Sequence, residues 1–243
     1  MRVAVISDPH ANLPALEAVL TAIEAERPDE VWCLGDLVGY GPHPNEVVAL
    51  VRERADVVLA GNHDLGVLGT IDLDLFGGEA GEAARWTRDV LSDEARSFLA
   101  TLDPRGARTG VGLYHASPRD PIWEYVLDGW TAAAALAEAP ERLVLVGHSH
   151  VALRVALDDN GELNGALAPD GEEVDLASGR HLLNPGSVGQ PRDGDPRAAW
   201  LVIDMESGRA TFRRSDYPIE RTQAAVRAAG LPEPLAARLE YGV

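Results

Sequence analysis

The stretch Val3-Ala4-Val5-Ile6-Ser7-Asp8-Pro9-His10 runs four apolar residues directly into a carboxylate and an imidazole. A short, continuous apolar run reads as a buried strand. The next apolar residues, over Leu13–Glu26, recur near i, i+3, i+4 and i+7, the spacing of one helical face. The pattern then repeats: strand Val31–Leu34 ends in Gly35-Asp36, helix Asn45–Arg54 follows, and strand Val57–Ala60 ends in Gly61-Asn62-His63-Asp64. Strand–helix–strand–helix–strand at this spacing predicts a parallel sheet covered by helices. In such a sheet the carboxyl ends of the strands share one edge, where ligands usually bind.

Further along, the pattern changes. Val111–Tyr114 and Leu143–Val146 read as strands flanking an Ala-rich helix, Thr131–Ala139, which Pro140 ends. Ala152–Leu157 and Glu162–Leu167 are joined by Asp158-Asp159-Asn160-Gly161, a hairpin turn. Ala198–Asp204 and Ala210–Arg214 pair similarly around Glu206-Ser207-Gly208. Helices are expected around Glu79–Ala100, Ile219–Ala229 and Leu235–Leu239. Parallel units giving way to hairpins predict two sheets. With no internal repeat and no linker-like tract, residues 1–243 read as one domain.

Composition narrows the function. At 243 residues and 46% hydrophobic content the chain can bury a sizeable core, and the single cysteine, Cys33, excludes an intramolecular disulfide or a Cys-ligated cluster. The formal net charge is −18, and every positive residue is Arg. Without Lys, neither Schiff-base chemistry nor a P-loop is available, and the negative field weighs against nucleic acid and acidic lipid as partners. No apolar run reaches the roughly 20 residues of a membrane span, and the N-terminus turns polar too soon for a signal peptide. The expectation is a soluble cytoplasmic protein.

Five of the seven histidines lie where an apolar run stops, in Asp8-Pro9-His10, Asn62-His63, Tyr114-His115 and His148-Ser149-His150. Residues i and i+2 share a face if extended, so Asp8 with His10, and His148 with His150, can aim at one centre. Imidazole, carboxylate and amide donors without thiolate suit Mn, Zn, Fe, Ni or Co. Asp8, His10, Asp36, Asn62, His115, His148 and His150 are too many for one tetrahedral ion but enough for two sharing a carboxylate. Two close metals point to displacement at phosphorus.

In order, Asp8-x-His10, Gly35-Asp36, Gly61-Asn62-His63-Asp64, His115 and Gly147-His148-x-His150 resemble the motifs of the calcineurin-like metallophosphoesterase superfamily. Asn184-Pro185-Gly186-Ser187-Val188 further resembles its small bacterial phosphodiesterase branch; the match spans residue 1 to about 204. The resemblance implies an α/β fold, a four-layer αββα sandwich of two mixed β-sheets flanked by helices. It implies that Asp8, His10 and His150 hold one divalent ion, that Asn62, His115 and His148 hold another, and that Asp36 bridges them. It makes His63 the non-ligand catalytic histidine beside the leaving group. The implied reaction is in-line attack on a phosphodiester by a metal-bridging hydroxide, with a small phosphate ester as substrate. The sequence departs from the family at Gly39, where many relatives carry an Asp that orients this histidine; Asp64 is adjacent but need not take that role. Ala11 and Ala116 replace frequent glycines.

Other residues have plainer readings. Asn184–Arg197, rich in Gly, Pro, Asp and Arg, reads as a mobile surface loop, from which Arg192 or Arg197 could reach a phosphate oxygen. Trp123, Tyr125 and Trp130 read as core or interface residues before a stacking platform, and His43 and His181 as ordinary packing or surface residues. The competing functions are a phosphomonoesterase, a phosphoprotein or dinucleoside polyphosphate hydrolase, a nuclease and, in another class, a non-catalytic metal-binding scaffold. All expected ligands and His63 are present, which favours an enzyme. No residue pattern points to a particular oligomer.

Overall fold

The apolar runs become strands in the computed structural model, which describes residues 1–243. The chain runs through β1 (Arg2–Ile6), α1 (Leu13–Glu26), β2 (Glu30–Cys33), α2 (Pro44–Arg54), β3 (Val57–Val58), α3 (Asn62–Val67), α4 (Gly78–Val90), α5 (Asp93–Leu99), β4 (Arg105–Arg108) and β5 (Val111–Tyr114). It continues through α6 (Gly129–Glu138), β6 (Leu143–Leu145), β7 (Leu153–Leu157), β8 (Leu163–Leu167), β9 (Glu173–Asp175) and β10 (Arg180–Asn184). It ends with β11 (Ala198–Asp204), β12 (Arg209–Ser215), α7 (Ile219–Ala228) and α8 (Glu233–Ala237). No helix is long and apolar enough to cross a membrane.

Two six-stranded sheets result, ordered β3-β2-β1-β11-β12-β9 and β4-β5-β6-β10-β7-β8. Both are mixed: β1, β2 and β3 are parallel in the first, as are β5, β6 and β10 in the second, and hairpins complete each sheet. Strand alternation decides what each face meets. Val3, Val5, Trp32, Leu34, Leu201 and Ile203 of the first sheet pack with Leu113, Leu143, Leu145 and Leu183 of the second. On the opposite face, Ala4, Ile6, Cys33, Trp200 and Val202 pack on α1 and α2 through Leu16, Val19, Val47 and Val51. The outer face of the second sheet packs Val144, Val146 and Leu182 on Ala132, Ala135 and Leu136 of α6. The expected helix–sheet–sheet–helix order is therefore present.

The strands that sequence pattern misses are β4, β9 and β10. Arg105-Gly-Ala-Arg108 is an exposed edge without apolar alternation. Strand β10 begins with Arg180 and His181 yet is central, paired to β6 on one side and β7 on the other. His181 is buried there, and its Nε2 meets the Ser178 carbonyl at 2.8 Å. Strand β3 is shorter than the apolar run Val57–Ala60. After Val58, the Leu59 N–H still donates to the Cys33 carbonyl at 2.9 Å, but the Ala60 N–H turns to the Asp103 carbonyl. The chain then enters α3, a six-residue helix that the sequence reading leaves as a loop.

Leu145 is fully buried between the sheets. We expect Leu145→Ala to cost about 2–5 kcal/mol in a urea unfolding titration through lost burial and the cavity it leaves.

Candidate metal centre

Strands β1 and β2 of one sheet and β5 and β6 of the other end beside one another, and the chain must turn sharply at each end. It does so through left-handed residues that are not glycine: Asp8 (φ 53°), His10 (45°), Asp36 (54°), His148 (62°) and His150 (59°). Each such residue costs about 1–2 kcal/mol relative to ordinary backbone, so the geometry persists only because neighbouring loops impose it. Backbone hydrogen bonds do this: Asp8 N–H to Gly35 O, His10 N–H to Asp36 O, and Arg192 N–H to His150 O, all at 3.0 Å. Glycine is obligatory at 61, where a Cβ would fall inside the Asp36 carboxylate.

The imidazole tautomers follow from their partners. His10 Nδ1 donates to the Val38 carbonyl at 2.8 Å, His150 Nδ1 to the Gln190 carbonyl at 2.7 Å, and His115 Nδ1 to the Leu34 carbonyl at 2.9 Å. A carbonyl only accepts, so in each ring Nδ1 carries the proton; in His10 and His150, which burial drives toward the neutral form, Nε2 then presents a lone pair. These lone pairs converge. His10 Nε2 and His150 Nε2 are 2.9 Å apart. His115 Nε2 lies 3.2 Å from Asn62 Oδ1 and 3.4 Å from Asp36 Oδ2. His148 Nε2 is buried without any hydrogen-bond partner.

The carboxylates complete two groups. In one, a donor atom from each of Asp8, His10, Asp36 and His150 lies within 4.8 Å of every other; in the second, the same holds for Asp36, His115 and His148. Asp36 belongs to both. Asp8 also links the sheets, because its carboxylate accepts the His148 N–H at 3.2 Å. Burial pushes Asp8 up to about 7. Burial, with Asp64 nearby, raises Asp36 well above the usual carboxylate range. Burial likewise drives His10 and His150 down, and His148 to about 2. Imidazole nitrogens and buried carboxylates crowded around common centres form a donor set that favours positive charge. A divalent cation fits this donor set, and nitrogen ligands whose other nitrogen is tied to a carbonyl are the usual arrangement at metal sites.

The structure brings His63 to the same place, with ring centroid 5.0 Å from that of His10, and leaves its Nδ1 buried and unpartnered. Burial and the positive field of Arg192 lower it to about 3, so the ring is neutral. Asp64 does not orient it. The Asp64 carboxylate accepts the N–H groups of Gly61, Leu37 and Val38 at 2.9–3.2 Å, holding the Asp36 loop.

Of the outlying residues, Arg192 belongs to the site: its guanidinium lies 5.5 Å from the Tyr40 ring centroid, and Tyr40 contacts His10 and His63. Arg197 does not, being paired with Asp195 and Asp170. Tyr125 stacks on His148 at 4.2 Å, Trp123 packs on Phe76, and Trp130 is 83% exposed, outside the core of the chain. The reading of Asn184–Arg197 as a surface loop is corrected for its first half, because residues 184–191 are buried. Asn184 Nδ2 donates to the Gly147 carbonyl at 2.7 Å, Ser187 Oγ to the Asp8 carbonyl at 2.8 Å, and Gln190 accepts from His150. This segment straps the two sheets together under the cluster.

A sandwich of two mixed sheets with an Asp/His cluster at its strand ends is the architecture of a metallophosphoesterase. The family model described as the calcineurin-like phosphoesterase superfamily domain matches residues 1–208. A metallophosphoesterase of known structure from Sphaerobacter thermophilus is 44% identical, with a TM-score of 0.90 over 100% of this chain and 99% of that one. An uncharacterised protein of Methanocaldococcus jannaschii is 37% identical over 99% of this chain and 98% of its own length. A symmetrical bis(5′-nucleosyl)-tetraphosphatase of Aromatoleum aromaticum is 33% identical over 132 residues, which cover 50% of this chain and 43% of that enzyme. The chain belongs to the calcineurin-like phosphoesterase superfamily and is a metal-dependent phosphoester hydrolase.

The shifted groups set the stability of the metal-free protein. Asp8 and Asp36 hold protons in the folded state that the unfolded chain releases above about pH 4, so their contribution is lost as pH rises through the folded values. The depressed histidines act oppositely: their contribution is lost on acidification and complete above about pH 6.5. We therefore expect the Tm of metal-free protein to fall between about pH 6.5 and 8, where the buried Asp8 gives up its proton. Saturating Mn should raise Tm and flatten that slope in differential scanning calorimetry.

Proposed function

We propose that the chain is a phosphodiesterase with two divalent ions. Asp8, His10 and His150 hold one, Asn62, His115 and His148 hold the other, and Asp36 bridges them. The observation that carries this reading is the membership of Asp36 in both donor groups. The donor types favour Mn, Zn, Fe, Ni or Co. Such a pair, when bound, supplies Lewis-acid charge for phosphoryl oxygens and a solvent nucleophile acidic enough to act near neutral pH.

The chain's own groups do the remaining work. Arg192 is the arginine whose field reaches Asp8, Asp36, His63, His148 and His150. One guanidinium matches the single negative charge of a diester and holds a non-bridging oxygen. The Asn62 amide oxygen lies 3.2 Å from His115 Nε2, within the second donor group. His63, neutral through burial, offers an N–H to the departing oxygen and stabilises the charge developing there, in preference to arriving already protonated. We expect His63→Ala to lower kcat by about 10²–10⁴-fold while metal content, read by elemental analysis, stays at the wild-type value.

A second reading, hydrolysis of a dinucleoside polyphosphate, is favoured by the partial match to the Aromatoleum tetraphosphatase. Steady-state kinetics of Mn-loaded protein on bis(p-nitrophenyl) phosphate, p-nitrophenyl phosphate and diadenosine tetraphosphate separate the readings. We expect kcat/KM for the diester to exceed that for the monoester by about tenfold or more, roughly 1.4 kcal/mol of transition-state preference. A larger value for diadenosine tetraphosphate selects the second reading, and a larger value for the monoester overturns both. Metal-loaded protein inert on all three is a scaffold.

A further inference from the structure

His63 has no carboxylate partner. Asp64 is engaged by three backbone N–H groups, and Asp36 meets only the His63 backbone, accepting its N–H at 2.9 Å. Nor is there room for a side chain where one would be needed: a Cβ on Gly39, at φ 87°, would overlap His63 Nδ1 and lie 2.9 Å from its Cγ. An imidazole without a hydrogen-bond partner can rotate about its side-chain bonds unless packing stops it.

Packing does stop it, on several sides. The Tyr40 ring sits 4.5 Å from the His63 ring, tilted by 48°; Phe76 meets it edge-on at 4.9 Å and His10 edge-on at 5.0 Å. Phe76 is backed in turn by Trp123 at 5.4 Å. Tyr40 is itself fixed. Its backbone is left-handed (φ 58°), and the following Gly41 N–H donates to the His10 carbonyl at 3.1 Å. On the ring side, Arg192 lies over Tyr40, and its own Nη2 is tied to Gln190 Oε1 at 2.8 Å.

We infer that Tyr40 is the positioning residue for His63, its ring face, braced by Arg192, setting the imidazole plane in place of a hydrogen-bonded acid. This rests on the proposed role of His63. Aromatic rings in tilted or edge contact at such centroid separations have a preferred mutual orientation, which a neighbouring aliphatic chain does not supply. The phenol hydroxyl is not required by this arrangement, whereas the ring is.

The test compares Tyr40→Ala, Tyr40→Leu and Tyr40→Phe, alone and with His63→Ala, in Mn-loaded protein with bis(p-nitrophenyl) phosphate. Tyr40→Leu fills the same space without a π face and serves if the Ala variant does not fold. Tyr40→Ala and Tyr40→Leu should lower kcat by about 10–100-fold, the scale of a misplaced catalytic group, with metal content unchanged. Tyr40→Phe should return kcat to within about threefold, and in the His63→Ala background Tyr40→Leu should cost nothing further, because the two residues act as a unit. Equal losses in both backgrounds, loss of bound metal, or a Phe variant as poor as Leu would overturn the inference. A readout independent of turnover is the ring C–H resonances of His63 in metal-free protein. Tyr40→Phe should preserve their linewidths, and Tyr40→Leu should broaden them as the freed ring samples other rotamers, beyond the shift that loss of a neighbouring ring current produces by itself. Resonances in Tyr40→Leu that shift but stay as narrow as in the wild type also overturn the inference. Wild-type protein inactive on every ester sinks the proposed function alone, since the resonances still decide the role of Tyr40.

Discussion

The close approach of His10 Nε2 to His150 Nε2 is the contact around which the rest of the site is built. Two lone pairs 2.9 Å apart, each fixed by a proton held on the opposite ring nitrogen, are tolerated in a buried place only if something positive lies between or beside them. Neither ring can relieve the contact cheaply by protonation, since burial drives both toward the neutral form. Asp8 and Asp36 face the same two nitrogens at 3.5 Å, and burial disfavours their charged forms as well. Each group in the cluster is disfavoured alone, and the disfavour is of one kind, a deficit of cationic charge.

Keeping such a cluster closed requires a scaffold stiffer than the loops that carry it. The left-handed residues at the strand ends would relax if their hydrogen-bond partners moved, and those partners are mostly other strand-end loops. Asp8 is held by the Gly35 loop of its own sheet while its side chain holds His148 of the other. The buried strap from Asn184 to Gln190 touches Gly147, Ser149, Asp8 and His150, so the two sheets cannot slide without breaking it. The core between the sheets, with Leu145 and Leu183 against Val5 and Leu201, makes that sliding costly as well. Strain at the site and packing behind it are parts of one arrangement.

How much of this is legible in the sequence follows from the physics of each part. Strand ends carrying ligands are legible because an apolar run stops abruptly at Ile6, Leu34 and Val146 and a polar side chain follows. The two-sheet architecture is legible because the run of parallel βα units gives way to hairpins such as the one at Asp158–Gly161, although those hairpins join the parallel strands in mixed sheets. Strand β10 is not, since its central place depends on partners drawn from opposite sides of the sheet. The strap is misread from composition: Gly, Pro and Ser usually mark solvent-exposed turns, but here Ser187 and Asn184 use their polar atoms to satisfy buried carbonyls. Tyr40 carries no sequence signal beyond adjacency to Gly39, and its contact with His63 arises only through the turn back over His10.

The aromatic enclosure of His63 also bears on charge. A carboxylate beside that histidine would add another negative group to a cavity already holding Asp8 and Asp36, in a chain of net charge −18. Aromatic rings orient without adding charge, and the Tyr40 face accommodates the Arg192 guanidinium at little desolvation cost. The site thus keeps its arginine free of any acidic partner; its Nη2 meets the neutral Gln190 amide. Within a low-dielectric pocket, one uncompensated guanidinium exerts a field that the distant surface acids, screened by water, do not cancel. An acidic protein can in this way present a locally attractive pocket to an anionic ester, and the replacement of an acid by a ring is part of how the attraction survives.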